Sequence, residues 1–281
     1  MSEKIGCHII RLKEIDSTNS YLKDKSKLLQ RNGLVVIKEM QVSGRGRAGR
    51  KFTSVIGNNV TFSVVLHPNL PLEEIQIFAL LAGVAVARVL EIYVKDIRLK
   101  WPNDVLVNEK KICGILLETI NIPDHSFPVL IMGIGLNTKG CPNDYPEELQ
   151  NIVTTIESEM SPISDILSKT ESAPVLNNES IFQQLLLELD SCLQKFSLVS
   201  ANTQNSEKTT SGRSSLLQEW LQRAKALGRK VCSLNNIEER VKDSGTVGII
   251  EGLTREGYLQ IRTDSGQILT HVSGDIFDVK R

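Results

Sequence analysis

The chain has 281 residues, long enough for one large domain with a small one beside it, and 41% of them are apolar, which excludes wholesale disorder. Its 33 basic and 33 acidic residues cancel, so bulk charge attracts no polyanion and any basic site must be a local cluster. Five cysteines with no C-x-x-C pair and four scattered histidines argue against a disulfide framework or structural zinc and for reduced thiols in the cytoplasm.

Asp16-Ser17-Thr18-Asn19 offers N-caps for a short helix ending near Gly33. Leu34–Ile37 and Val60–Leu66 read as strands, separated by a Gly/Arg segment. The apolar spacing of Leu72–Tyr93 predicts a helix packed on a sheet. It is too short, and too charged at Arg88, to span a bilayer. No basic start followed by an apolar run opens the chain, so no signal peptide is expected. Strands are expected over 97–100, 105–107, 111–119 and 129–134, with a hairpin turn at Asn108-Glu109-Lys110. A polar stretch over 158–180 precedes an amphipathic helix at Ile181–Phe196. Residues 198–215 read as a flexible polar insertion and Leu216–Leu227 as a last helix stopped by Gly228. Beyond it, short β runs alternate with turn signals, which predicts a small barrel. The fold class is therefore α+β: a mixed, largely antiparallel sheet with packed helices over 1–228, and a barrel over 229–281.

Two motifs carry chemistry. The first is Gly44-Arg45-Gly46-Arg47-Ala48-Gly49-Arg50-Lys51, with three glycines and four cations in eight residues. Glycine lets backbone N–H groups approach an anion, and guanidinium forks bind phosphate or carboxylate. The embedded G-x-G-x-x-G is not a dinucleotide fingerprint. It does not open a helix, and the next acid is Glu73. The second is Lys100-Trp101-Pro102-Asn103-Asp104, a turn leading into a strand, with Lys111 seven residues beyond Asp104 and able to face it across a hairpin. Without other motifs that pair would be an ordinary surface ion pair worth about 0–1 kcal/mol.

Together with Ser17-Thr18-Asn19, Gln41, Lys111-Ile112-Cys113-Gly114-Ile115-Leu116 and Gly133-Ile134-Gly135-Leu136-Asn137, these motifs resemble the biotin–protein ligase family in order and spacing across residues 16–137. The resemblance implies a catalytic domain like that of class II synthetases and biotin/lipoate ligases, followed by an SH3-like barrel. It implies an ATP-dependent, AMP-forming ligase that makes biotinyl-5′-adenylate and passes biotin to a lysine of a carboxylase's biotin carboxyl carrier domain. By the same resemblance Ser17, Thr18, Asn19, Gln41, Gly44, Arg45, Gly46, Arg47, Lys111 and Gly114 face biotin. Arg47, Arg50, Phe52, Asn103, Asp104, Lys111 and Asn137 face ATP. Lys111, Arg45 and Arg47 carry the catalysis, and Asp104 is the candidate ligand of nucleotide-borne Mg²⁺.

The chemistry agrees with these residue types. A carboxylate must reach an α-phosphate, so cations are needed to cancel the repulsion of two anions. A glycine–arginine loop over 43–51 that is open in the empty enzyme and closes over the labile adenylate accounts for mobility and charge in one segment. This sequence departs from the family at Phe52, where Trp is common, and at Ala48, where a further Arg is common. About fifteen residues precede Asp16, so no DNA-binding helix-turn-helix is expected. A lipoate or octanoate ligase or transferase of the same fold is the first rival reading. A nucleic-acid-binding protein is the second, weakened because Phe52 is the one aromatic near the cations.

Overall fold

The computed structural model describes residues 4–41, 44–46, 51–53, 58–123, 125–160, 175–197, 206–234 and 245–279. Its larger sheet has seven strands: β1 (Ile9–Ile15), β2 (Val35–Gln41), β5 (Asn59–Leu66), β6 (Ile97–Lys100), β7 (Asp104–Val107), β8 (Lys110–Ile120) and β9 (Val129–Asn137). Their order is β1-β2-β5-β9-β8-β7-β6. The β1–β2 pair is parallel and the other pairs are antiparallel. The mixed, largely antiparallel sheet is as expected. Strand β1 was not expected, because Arg11, Lys13 and Glu14 break its apolar pattern; as an edge strand it is only partly buried.

Strict alternation gives this sheet two different faces. Val35 and Ile37 of β2, Val60, Phe62, Val64 and Leu66 of β5, and Leu130, Met132, Ile134 and Leu136 of β9 enter the main core. That core is closed by α3 (Ile77–Leu90), α6 (Asn178–Ser197) and α7 (Ser206–Ala224). Every residue of α3 except Arg88 is buried, so it is enclosed by the sheet and both helices and presents no single stripe. The opposite face carries a smaller cluster, including Leu22, Leu29, Val36, Val65 and Ile131, under α1 (Thr18–Lys23) and α2 (Ser26–Leu29). Two further short helices, α4 (Glu147–Gln150) and α5 (Ile156–Glu159), follow β9.

The helix expected from Leu216 begins ten residues earlier, at Ser206, so the expected polar insertion is helical over 206–215, while 198–205 lie outside the described residues. Low Ser/Thr helix propensity is outweighed there by tertiary contact: Arg213 pairs with Glu74 at 2.5 Å and lies over the Phe196 ring. A second sheet of β10 (Lys230–Leu234), β11 (Thr246–Leu253), β12 (Leu259–Thr263), β13 (Ile268–His271) and β14 (Asp275–Asp278) is antiparallel throughout, in the order β13-β12-β11-β10-β14. Its β11–β12 turn docks on the first domain. The buried Trp101 indole N–H donates to Gly257 O at 3.1 Å, and Tyr258 Oη donates to Glu73 O at 2.5 Å. Gly257 has φ +87°, and a Cβ there would stand 2.8 Å from Leu80 Cδ1, so the close approach requires glycine.

Candidate functional site

The second face of the sheet loses its apolar side chains toward one end. In register across five strands lie Lys38, Thr61, Gly135, Gly114 and Asp104. The neighbouring row is Val36, Ser63, Gly133 and Leu116. Cross-strand partners share a face, so three glycines floor a trough with polar groups at both ends.

At one end stands the start of α1. Ser17 caps the helix, its hydroxyl accepting from Ser20 N at 3.4 Å, and Ser17, Thr18 and Asn19 are all buried. Ser63 Oγ lies 2.6 Å from Thr18 Oγ1 and 2.5 Å from Asn19 Oδ1. Asn19 Nδ2 donates to Glu118 Oε2 at 2.9 Å, which fixes the amide with its oxygen toward Ser63, and Lys23 Nζ holds the other Glu118 oxygen at 2.8 Å. Gly133 makes room for this amide, since a Cβ there would be 2.5 Å from Asn19 Oδ1.

At the other end Lys111 Nζ pairs with Asp104 Oδ1 at 2.6 Å. The hairpin sets them together as expected, but not directly opposite. Lys111 faces Leu106 and Asp104 faces Gly114, because a bulge shifts the register between Val105 and Leu106. The turn is Asn108-Glu109 alone, both at positive φ, with Lys110 already in β8. The Lys111 backbone is fixed by the chain after β9: its N–H donates to Ile152 O at 2.8 Å and its carbonyl accepts from Thr154 N at 2.9 Å. Asn137 joins the same segment, donating to Thr154 O at 3.0 Å and accepting from Asn59 Nδ2 at 2.8 Å. Asn103 shapes the turn before β7, since its side chain donates to Ile115 O and its carbonyl accepts from Ile115 N. Cys113 is fully buried on the opposite face and burial pushes its thiol up, so it is no nucleophile.

The two ends of the basic segment pair as a ribbon, β3 (Gly44–Arg45) with β4 (Lys51–Phe52). Of Gln41, Arg45 and Phe52 only the backbone is described, while Gly46 is half-buried. Arg47 and Arg50, and with them the expected closing motion of the loop, lie outside the described residues. The candidates Ser17, Thr18 and Asn19 therefore gather at one end of the trough, Gly114 lies on its floor, and Lys111 and Asp104 stand at the other end. Ser63, Glu118, Lys38 and the 152–154 segment escaped the sequence reading, and Gly133 and Gly135, present there in a motif, were given no role of their own. The polar or glycine residue at every second place in Thr61-Phe62-Ser63 and Gly133-Ile134-Gly135 was the available signal.

Such a trough takes a polar head at the hydroxyl–amide end, an apolar chain over the glycines and an anion beside Lys111. The profile of the biotin/lipoate A/B protein ligase family matches residues 12–137, β1 through β9, and that of the biotin protein ligase C-terminal domain matches 240–277. The chain belongs to the biotin protein ligase family. It is 29% identical over 266 residues to the bifunctional ligase/repressor BirA of Bacillus subtilis, covering 94% of this chain and 72% of that protein. It is 27% identical over 264 residues to the biotin–[acetyl-CoA-carboxylase] ligase of Paracoccus denitrificans, covering 91% and 95%. The biotin protein ligase from Aquifex aeolicus in complex with biotin and ATP superposes with a TM-score of 0.68 at 28% identity, over 96% of this chain and 98% of that one.

Proposed function

We propose that this biotin protein ligase joins biotin to ATP and transfers it to a lysine of a biotin carboxyl carrier domain. The trough is the observation that supports this reading, with buried hydroxyl and amide groups at one end and the Lys111–Asp104 pair at the other. In the first step a biotin carboxylate oxygen attacks the α-phosphorus of ATP, a P–O bond forms and pyrophosphate leaves. In the second the acceptor lysine amine attacks the acyl carbon, AMP leaves and the ammonium proton is lost. Lys111 neutralises the meeting anions in the first step.

Ser17, Thr18, Asn19 and Gln41 bind the head group. Gly44, Arg45, Gly46 and Arg47 cover biotin and the phosphates, and Gly114 lies beneath the chain of the acid. Arg50, Phe52, Asn103 and Asn137 border the nucleotide. Asn137 and Asn103 do so as shaping residues, since their amides bond within the protein. Among the described residues no three His, Cys, Asp or Glu side chains stand together to hold a metal. Asp104 is the candidate that would hold Mg²⁺ carried by the nucleotide, and the ion would draw charge from the phosphates. We assign the ligase to residues 1–228 and the SH3-like barrel to 229–281. A cytoplasmic location accords with five free cysteines, and no helix among the described residues is long and apolar enough to cross a membrane.

The test is incubation with ATP, Mg²⁺, labelled biotin and a carrier domain, with lipoate and octanoate in parallel. Label on the carrier lysine with biotin alone is expected. Adenylate formed from lipoate or octanoate and not from biotin would overturn the assignment.

A further inference from the structure

The trough contains a charge that the adenylation chemistry does not use. Lys38 is 3% exposed, and its ammonium has no hydrogen-bond partner. Its cross-strand neighbour Thr61, 8% exposed, has an unpartnered hydroxyl as well. A buried ammonium without a partner is costly, and a methionine would fill the same space without that cost. Two such groups side by side in a binding face point to a partner that arrives from outside.

Their position selects the partner. Lys38 and Thr61 adjoin the row in which Ser63 meets Thr18 and Asn19, so they stand at the head-group end. Three strand spacings, about 14 Å, separate Lys38 from Gly114 and the Lys111 end, too far for it to serve the carboxylate or phosphates of the same substrate. The charged groups that act on Lys38 are Glu14 of β1 and Asp16 before α1. Neither forms an ion pair with it, and burial outweighs both, leaving the ammonium depressed to about 8 and still charged at pH 7.

A urea presents what these two groups lack: a carbonyl oxygen for an ammonium and an N–H for a hydroxyl oxygen. We propose that Lys38 and Thr61 form a further subsite for the ureido group of biotin, with Lys38 Nζ donating to the carbonyl oxygen and Thr61 Oγ1 accepting an N–H. This rests on the biotin reading above and adds a head-group specificity determinant to it.

The test compares calorimetric affinities of the full chain at pH 7 for biotin and for 2-iminobiotin, in which a guanidinium replaces the urea. The parent is expected to prefer biotin by at least about 100-fold, because the guanidinium cation meets Lys38 and offers it no acceptor. Lys38→Met is expected to weaken biotin by about 10- to 100-fold, leave ATP affinity within about twofold, and narrow the gap between the two ligands to less than about tenfold. Lys38→Gln, which keeps a donor without charge, should recover part of the biotin affinity while the gap stays narrow. Thr61→Val should weaken biotin by a few-fold. An unchanged ratio in both Lys38 variants, with biotin bound as in the parent, overturns the subsite and leaves the ligase intact. A parent that binds no biotin and forms no adenylate overturns the ligase reading itself.

Discussion

Gly133→Ala tests whether the floor of the trough and the start of α1 are one fitted unit. The new Cβ would lie 2.5 Å from Asn19 Oδ1, 3.2 Å from its Cγ and 3.3 Å from its Nδ2. Asn19 is buried and tied on both sides, at 2.5 Å to Ser63 and at 2.9 Å to the Glu118 carboxylate. Moving it away sacrifices a neutral hydrogen bond of about 1 kcal/mol and a charged one of about 1.5–3 kcal/mol. Relaxation of the neighbours lowers the sum toward the usual overpacking cost of about 1–3 kcal/mol. A loss of about 2 kcal/mol in unfolding free energy is therefore expected, with biotin binding weakened by about tenfold or more because the displaced amide borders the head-group end. Urea unfolding and calorimetric titration with biotin measure the two effects. Gly83→Ala is the control. Its Cβ would meet Leu99 Cδ2 at 3.5 Å, an ordinary contact, so removing a mid-helix glycine should stabilise by about 0.5–1 kcal/mol and leave biotin affinity alone. Gly133→Ala and Asn19→Ala should be strongly non-additive, since the second removes what the first collides with. A Gly133→Ala protein with parental stability and affinity would refute the fitted unit.

Lys111→Ala should slow adenylate formation by about 10²–10³-fold in a single-turnover assay. It should cost less than about 1 kcal/mol of stability, because the pair with Asp104 is part exposed; equal damage to both would make Lys111 a structural residue. For Lys38 the folded-state pKa, about 8, lies below the ordinary 10.5, so the unfolded chain holds more protons between those values and stability rises with pH across that window. The stability advantage of Lys38→Met over the parent should accordingly be full below pH 8 and shrink by up to about 1.4 kcal/mol per unit toward pH 10.5. Urea midpoints of both proteins at pH 7 and 9.5 check it, and a pH-independent difference would contradict the burial argument. Trp101→Phe removes the donor to Gly257 O at the domain contact, and a loss of about 1–3 kcal/mol is expected there, read as faster hydrogen exchange at the Thr254–Tyr258 turn.

Much of the fold was legible along the chain. The apolar run at 77–90, the alternating strands and the turn residues of the C-terminal sheet are local signals, and each element formed near its expected place. The exceptions share a cause. Strand β1 reads as polar, and the first half of α7 is rich in Ser and Thr; both are held by partners distant in sequence, β2 in one case and Glu74 and Phe196 in the other.

The amino-acid sequence by itself determined the motifs and their ends: the N-cap at Ser17, the turn before Asp104, the lysine seven residues later, and the alternation that separates Phe62 from Thr61 and Ser63. Those follow from backbone preference and a two-residue period, which act over a few residues. Only the tertiary structure decided which face received three helices and which stayed open, that Gly133 would lie under Asn19, and that Lys38 would be buried without a partner. Strand order and register set those neighbours, and both depend on pairings between residues far apart in the chain, which no local pattern encodes.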